Sequence, residues 1–301
     1  MNRIFKAVAG IFLCGLILTG GKVSAAEVDA MEIFRETVYE TARIDDRIFH
    51  QDIFFVVPSA VGELEFIAGT EGSKIRVAGN AGFWMTSDNG ELTEVEVPFY
   101  IAQTDSEMTI YFQTDKKWKK KTAPLAAGQI TDTFLTPNLQ QIQSQIDIAK
   151  EVTILQESDS QRTFLVKLDG NKIADQIRSS IRAQAEVDGM KNNQFANYID
   201  TGIRSADIWY TWTVNKNTWQ TVTLSANLSG IVQSIAMTAL NDSENPLPEP
   251  FRNMLETVAF YSELRAYTTY LNPEAKSRLE IPKKVLKAKE VESFTDDKKK
   301  K

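Results

Sequence analysis

From Glu27 onward, apolar residues recur along the chain in two periods. Val28, Met31, Phe34, Val38 and Ala42 stand at helical spacing, with Glu32, Arg35, Glu36 and Glu40 between them, and predict an amphipathic helix. The period then drops to two. Ile53, Phe55 and Val57 alternate until Pro58, and a second strand centres on Leu64 to Ile67. Lys74 to Ala78 predicts a third strand, Gly79-Asn80-Ala81-Gly82 a turn, and Phe83-Trp84-Met85 a further short strand. Asp88-Asn89-Gly90 is a hairpin signal. Val95, Val97, Phe99 and Ile101 then point one way, while Glu94, Glu96, Pro98 and Tyr100 point the other. Beyond Thr104-Asp105-Ser106, Met108, Ile110 and Phe112 alternate with Thr109, Tyr111 and Gln113. The pattern predicts an antiparallel meander with one dry face and one wet.

The period lengthens again after Pro124. Leu139, Ile142 and Ile146 suggest a helix opened by Thr136-Pro137. Val152, Ile154 and then Phe164, Val166, Leu168 form a hairpin around Ser158-Asp159-Ser160. Asp169-Gly170-Asn171 starts a second helix with Ile173, Ile177 and Ile181 stacked on one face, running with a break near Gly189 toward Tyr198 and Ile199. The sheet resumes with Ile208, Tyr210, Trp212 and Val214, turns at Asn215-Lys216-Asn217, and continues through Val222 to Leu228 and on to Ile235 and Met237. Asn241 to Pro250 is a loop with three prolines; Phe251 to Tyr270 opens as a possible helix and ends strand-like. Strands and helices do not alternate strictly. The expected class is therefore α+β: a large curved antiparallel sheet, a half-barrel, with helices packed on its concave face.

Arg3 and Lys6 precede the apolar run Ala7 to Leu18, and small residues end at Val23-Ser24-Ala25-Ala26. That is the three-part plan of a secretory signal peptide, with an apolar run too short to span a bilayer. The expected organisation is a signal peptide over residues 1–26, one α+β domain over 27–290, and a disordered basic tail over 291–301. Cleavage after Ala25 or Ala26 discards Cys14, which Ile11, Phe12 and Leu13 precede, so there is no lipobox. The mature chain then has no thiol, which excludes disulfides, cysteine-ligated zinc and a cysteine nucleophile.

Loss of Arg3, Lys6 and Lys22 takes the net charge from −6 to −9, which excludes a nucleic-acid partner on overall charge. The solitary histidine, His50, stands beside the Ile53 strand; without a G-x-S-x-G elbow it reads as a half-exposed strand residue. No calcium loop, phosphate loop or placed carboxylate pair is present, so no catalytic residue, metal ligand or cofactor is assigned. Lys116-Lys117-Trp118-Lys119-Lys120-Lys121 suits either an edge strand protected by charge or a site for an anionic headgroup, envelope polymer or membrane surface. Trp209 and Trp212 must face opposite sides of a regular strand, which puts aromatic surface on both sides of the sheet.

Three segments carry a family resemblance: Ile110-Tyr111-Phe112-Gln113-Thr114-Asp115-Lys116-Lys117-Trp118-Lys119, Trp212-Thr213-Val214-Asn215-Lys216-Asn217-Thr218, and Ile281-Pro282-Lys283-Lys284-Val285. In these the chain resembles bacterial exported proteins with the lipoprotein-carrier half-barrel fold, the LolA and LppX/LprG-like proteins, especially their uncharacterised lipoprotein relatives. The resemblance implies a concave sheet closed by helices, often with an apolar cavity for acyl chains or lipidated partners.

The expected function is thus non-enzymatic: an exported envelope protein, periplasmic or extracellular, that holds a lipid or lipidated protein between sheet and helices. Strand parity, rather than the resemblance, selects the lining: Val95, Val97, Phe99, Ile101, Met108, Ile110, Phe112 and Trp212, with Lys117 and Lys119 near an anionic end. The alternatives are a structural or interaction module with a filled core, and thirdly an envelope hydrolase using an Asp/Glu pair.

Overall fold

The computed structural model describes residues 28–44, 47–57, 59–71, 74–86, 91–104, 106–124, 139–176, 178 and 194–291. The signal-peptide segment and residues 292–301 of the basic tail lie outside the described residues, as do the Asp88-Asn89-Gly90 and Thr136-Pro137 signals and Ile177 and Ile181. In chain order the elements are α1 (Val28–Ala42), β1 (Ile48–Val57), β2 (Ala60–Glu71), β3 (Lys74–Thr86), β4 (Leu92–Gln103), β5 (Glu107–Thr114), β6 (Lys117–Pro124), α2 (Leu139–Asp147), β7 (Ala149–Glu157) and β8 (Gln161–Leu168). A helical stretch, α3, covers 170–176. Then come α4 (Gln194–Ser205), β9 (Trp209–Asn215), β10 (Thr221–Asn227), α5 (Ser229–Leu240), α6 (Glu249–Tyr261), β11 (Glu263–Tyr270), a 3-10 turn (Pro273–Leu279), α7 (Lys283–Leu286) and β12 (Lys289–Glu290).

The class is α+β with one large open sheet. Among the described residues twelve strands hydrogen-bond in the order β12-β6-β5-β4-β3-β2-β1-β11-β10-β9-β8-β7. The sheet is mixed rather than wholly antiparallel, because the two-residue β12 runs parallel to β6, pairing Lys289 with Lys119 and Glu290 with Lys120. By packing, the chain divides into two compact units. The first comprises Met1–Ala42, Phe55–Pro58 and Asn138–Ala266; the second comprises Arg43–Phe54, Ser59–Pro137 and Tyr267–Lys301.

In the first unit, β7, β8 and β9 alternate cleanly. Val152, Phe164, Val166, Tyr210, Trp212 and Val214 are buried on one face, and Thr163 and Thr213 share a hydroxyl hydrogen bond at 3.0 Å on the other. Helix α1 supplies Phe34 to the dry face, where its ring meets Phe164 edge-on at 5.7 Å and Trp212 at 5.8 Å. The Trp212 indole N–H donates to the Thr221 hydroxyl at 3.0 Å, so the one polar atom of that ring is satisfied within the core. Helix α4 carries Tyr198 and Ile199, as the sequence suggests, and Gly202 lets it approach α5: a Cβ there would sit 2.6 Å from the Ile235 Cα. Ile235 and Met237, expected on a strand, belong to α5. Ser229, Ile231, Ala236 and Ala239 are its buried positions, a helical repeat disguised because the other apolar residues, Val232, Ile235, Met237 and Leu240, spread around the helix. The ambiguous Phe251–Tyr270 stretch resolves into both of its readings, α6 and then β11.

In the second unit the expected turn at Gly79 to Gly82 does not form. Lys74 to Thr86 is one strand, paired with β2 and β4 along its whole length. The glycines serve packing instead. A Cβ on Gly79 would meet the Glu65 carbonyl oxygen at 2.4 Å and the Phe99 Cζ at 2.8 Å, and one on Gly82 would meet the Trp84 ring at 2.4 Å. Hairpin β5–β6 turns through Asp115 and Lys116, both with positive φ (51° and 58°), the primed geometry that matches strand twist. The face expected to be wet is covered at one end. Tyr111 is buried against Ile281 and Val285 of the C-terminal segment, with Tyr100, Ala102 and Trp118 packed beside them. Leu279 caps Ile48 and Ile67 further along the same face. Glu94 and Glu96, beyond this cover, remain exposed.

Candidate functional site

The second unit carries the candidate site on the opposite face of its sheet. Register sets the lining. Phe99 pairs with Phe112, Ile101 with Ile110, and Gln103 with Met108; across β3, Val95 pairs with Phe83, Val97 with Ala81, Phe99 with Gly79 and Ile101 with Val77. Directly paired residues share a face, so Val95, Val97, Phe99, Ile101, Met108, Ile110 and Phe112 form one apolar field. Phe83 and Val77 extend it onto β3, and Leu64 and Phe66 extend it onto β2. The Phe99 ring fills the space that Gly79 leaves empty.

This field is only partly covered. Phe112 is 7% exposed but Val95 is 46% exposed, and Val97, Phe99, Ile101, Met108 and Ile110 are half-buried. Leaving so much apolar surface accessible forgoes about 25 cal/mol per Å² of burial. A contiguous patch of that kind marks a binding surface more often than chance.

Strand β6 borders the field with charge. Lys119 pairs with Phe112, Lys121 with Ile110 and Lys117 with Thr114, so three alternate lysines share the apolar face. Trp118 points the other way and packs on Tyr100 with ring centroids 5.5 Å apart. Lys120 also faces away, toward Glu290 at 3.6 Å. Lys117 is exposed, while Lys119 and Lys121 are half-buried.

Two buried amides complete the face. Gln103 lies in register with Ile75 and Met108. Gln51 is two residues along β1 from Phe49, whose ring packs with Ala68 and Ile75. Gln51 is 1% and Gln103 3% exposed. Neither Gln51 side-chain atom, nor the Gln103 Nε2, has a hydrogen-bond partner. A buried polar group left unpaired costs about 1–3 kcal/mol, which makes these positions unusual for a sealed core.

The register thus brings together seven of the eight predicted lining residues, and both Lys117 and Lys119. Trp212 belongs to the first unit, in its aromatic core with Phe34 and Phe164. Sequence reasoning missed Val77, Phe83, Gln51 and Gln103. Ile75, Val77, Ala81 and Phe83 are all odd-numbered, and this alternation across the glycines was the available signal for β3. Nothing in the sequence distinguishes Gln51 or Gln103 from surface glutamines.

A recess of about 280 Å³ in the first unit is lined by residues including Leu240, Asn241, Asp242, Pro246 and Arg252. Hydrogen bonds from the Tyr198 hydroxyl and the Gln194 amide hold the Asp242 carboxyl down at about 2. Asp242 also accepts from the Glu244 and Asn245 backbone N–H groups, at 3.0 and 3.1 Å, so its carboxylate is spent on tying the loop.

No protein-family model and no curated protein matches the chain. Among solved structures, LprF from Mycobacterium bovis is similar, with a TM-score of 0.38 and 9% sequence identity over 84% of this chain and 94% of that one. No helix among the described residues is long and apolar enough to cross a membrane.

Proposed function

We propose that this is an exported, non-enzymatic protein that binds an amphiphile on the apolar face of β3, β4 and β5. The observation that carries the reading is the half-exposed field Val95, Val97, Phe99, Ile101, Met108 and Ile110, bordered in register by Lys117, Lys119 and Lys121. Acyl chains fit the strands, and an anionic headgroup or a lipidated segment's acidic end fits the lysine border, where charge-assisted contacts are strongest. Export rests on the N-terminal basic, apolar and small-residue pattern.

The test is direct. The mature protein, purified without detergent, is extracted with organic solvent and analysed by lipid mass spectrometry, then the stripped protein is titrated with fluorescent anionic and zwitterionic lipids. Recovery of a stoichiometric amphiphile, with tighter binding of the anionic probe, is the expected result. An empty extract together with no saturable binding of either probe sinks the reading.

A further inference from the structure

On the face of the second unit's sheet opposite the apolar field, β1 and β2 bring three metal-ligating side chains together. His50 and Asp52 are two residues apart on β1 and so project from the same side. Glu65 reaches them from β2. His50 Nε2 lies 3.0 Å from Glu65 Oε1 and 3.4 Å from Asp52 Oδ1, and the three ligand atoms all fall within 4.8 Å of one another.

These atoms are an acceptor set with too few protons. One imidazole nitrogen offers at most one N–H, directed at one carboxylate at a time, and both carboxylates converge on that same Nε2. Among the described residues neither Asp52 nor Glu65 has a lysine or arginine partner, whereas Glu151, Glu157, Asp175, Asp200, Glu256, Glu263 and Glu290 each have one. The β3 residue paired with Glu65 is Asn80, whose Oδ1 is buried with no hydrogen-bond donor. Asn80 thus shares this face with the cluster, in register with Glu65, and its oxygen is unsatisfied.

We infer that His50, Asp52 and Glu65 form a binding site for a divalent transition-metal ion of the zinc type, with Asn80 as the adjacent neutral oxygen. Bonds of about 2.0–2.2 Å to nitrogen and oxygen set neighbouring donors about 3.4 Å apart in a tetrahedral site. Two of the three separations already stand near that value. Glu65, 54% exposed at its side chain, is free to rotate and close the third. An imidazole among carboxylates selects zinc-like ions over calcium or magnesium, which favour all-oxygen shells. The ion would clip β1 to β2 and neutralise the acidic pair. The inference is independent of amphiphile binding, since every ligand lies on the other side of the sheet.

His50 is the chain's one histidine, so its imidazole resonances are unambiguous. EDTA-stripped mature protein is titrated with zinc chloride, and the imidazole carbon-bound proton signals are followed by NMR alongside calorimetry. Saturation of the His50 signals at one equivalent of zinc is expected, with a weaker response to calcium. Asp52→Asn and Glu65→Gln, both conservative and solvent-facing, should each weaken zinc at least ~tenfold while leaving the circular dichroism unchanged. His50→Ala should abolish stoichiometric binding. His50 signals that ignore zinc, or a His50→Ala protein that binds it as tightly as the parent, overturn the site. A lost amphiphile with intact zinc binding would bear on the other face alone.

Discussion

Strands β8–β9 and β4–β5 have nearly the same alternation of apolar and polar residues, yet their apolar faces end in different states. Phe164, Val166, Tyr210, Trp212 and Val214 are buried, with the Phe34 ring of α1 set edge-on against both Phe164 and Trp212. Val95, Val97, Phe99, Ile101, Met108 and Ile110 remain half-buried or exposed. In the first pair, burial of the phenol raises the Tyr210 pKa, and the one indole N–H has a partner. In the second, amides at the margins have none. Alternation therefore marks a two-sided strand without saying whether its dry side meets a helix or a ligand. Satisfaction of the polar atoms beside each apolar face separates the two pairs, because unpaired buried groups are rare in a packed core.

The largest effect should come from the closed core. Phe164→Ala removes a ring that touches both Phe34 and Trp212, and should cost about 3–5 kcal/mol in urea denaturation. A loss under about 1 kcal/mol would erase the contrast between the two regions. Next comes Gly79→Val, which puts a branched side chain where Glu65 O, Phe66 Cβ and Phe99 Cζ already lie within 2.8 Å. It should lower stability by about 1–3 kcal/mol and displace the Phe99 ring, read as a lower melting temperature with weaker amphiphile binding.

On the open face the two readouts should separate. Val97→Asn with Ile101→Asn should shift stability by about 1 kcal/mol or less but weaken amphiphile binding at least ~tenfold in a fluorescent-lipid titration. A large stability loss with unchanged binding would assign these strands to an ordinary core.

The smallest effect concerns surface charge. Arg162 and Lys216 hold the Glu157 carboxyl down at about 2, from an ordinary 4.5, mainly by hydrogen bonds at 2.8 and 2.7 Å. A depressed carboxyl stabilises the fold above its unfolded pKa and loses that contribution as pH falls through the folded one. Glu157→Gln should therefore cost under about 1 kcal/mol at neutral pH, its carboxylate being solvent-screened. The difference from the parent should fade between pH 4.5 and about 2, as followed by denaturation across that range.

Much of the sheet was readable in advance. The meander from Glu94 to Gln113, the hairpin at Ser158-Asp159-Ser160 and the helix from Val28 to Ala42 follow from local period and turn chemistry. The failures share a cause. Gly79 and Gly82 look like a turn because glycine permits one, but here their missing side chains make room for Phe99 and Trp84. Helix α5 reads as strand because Ile235 and Met237 alternate locally, while its apolar residues spread around the helix instead of forming a clear stripe. Tyr100 and Tyr111 read as solvent-facing because their cover, Ile281 and Val285, comes from far along the chain.

Local information thus settles which side of β4 and β5 is greasy, that lysines of β6 alternate beside it, and that one histidine sits on β1. Those properties depend on backbone period and residue type, which act over a few positions. Long-range pairing decides which greasy side is filled, that Gln51 and Gln103 are buried without partners, and that Glu65 meets His50 and Asp52. Each of these depends on contacts between segments that only chain folding brings within a few ångströms, where packing and desolvation operate.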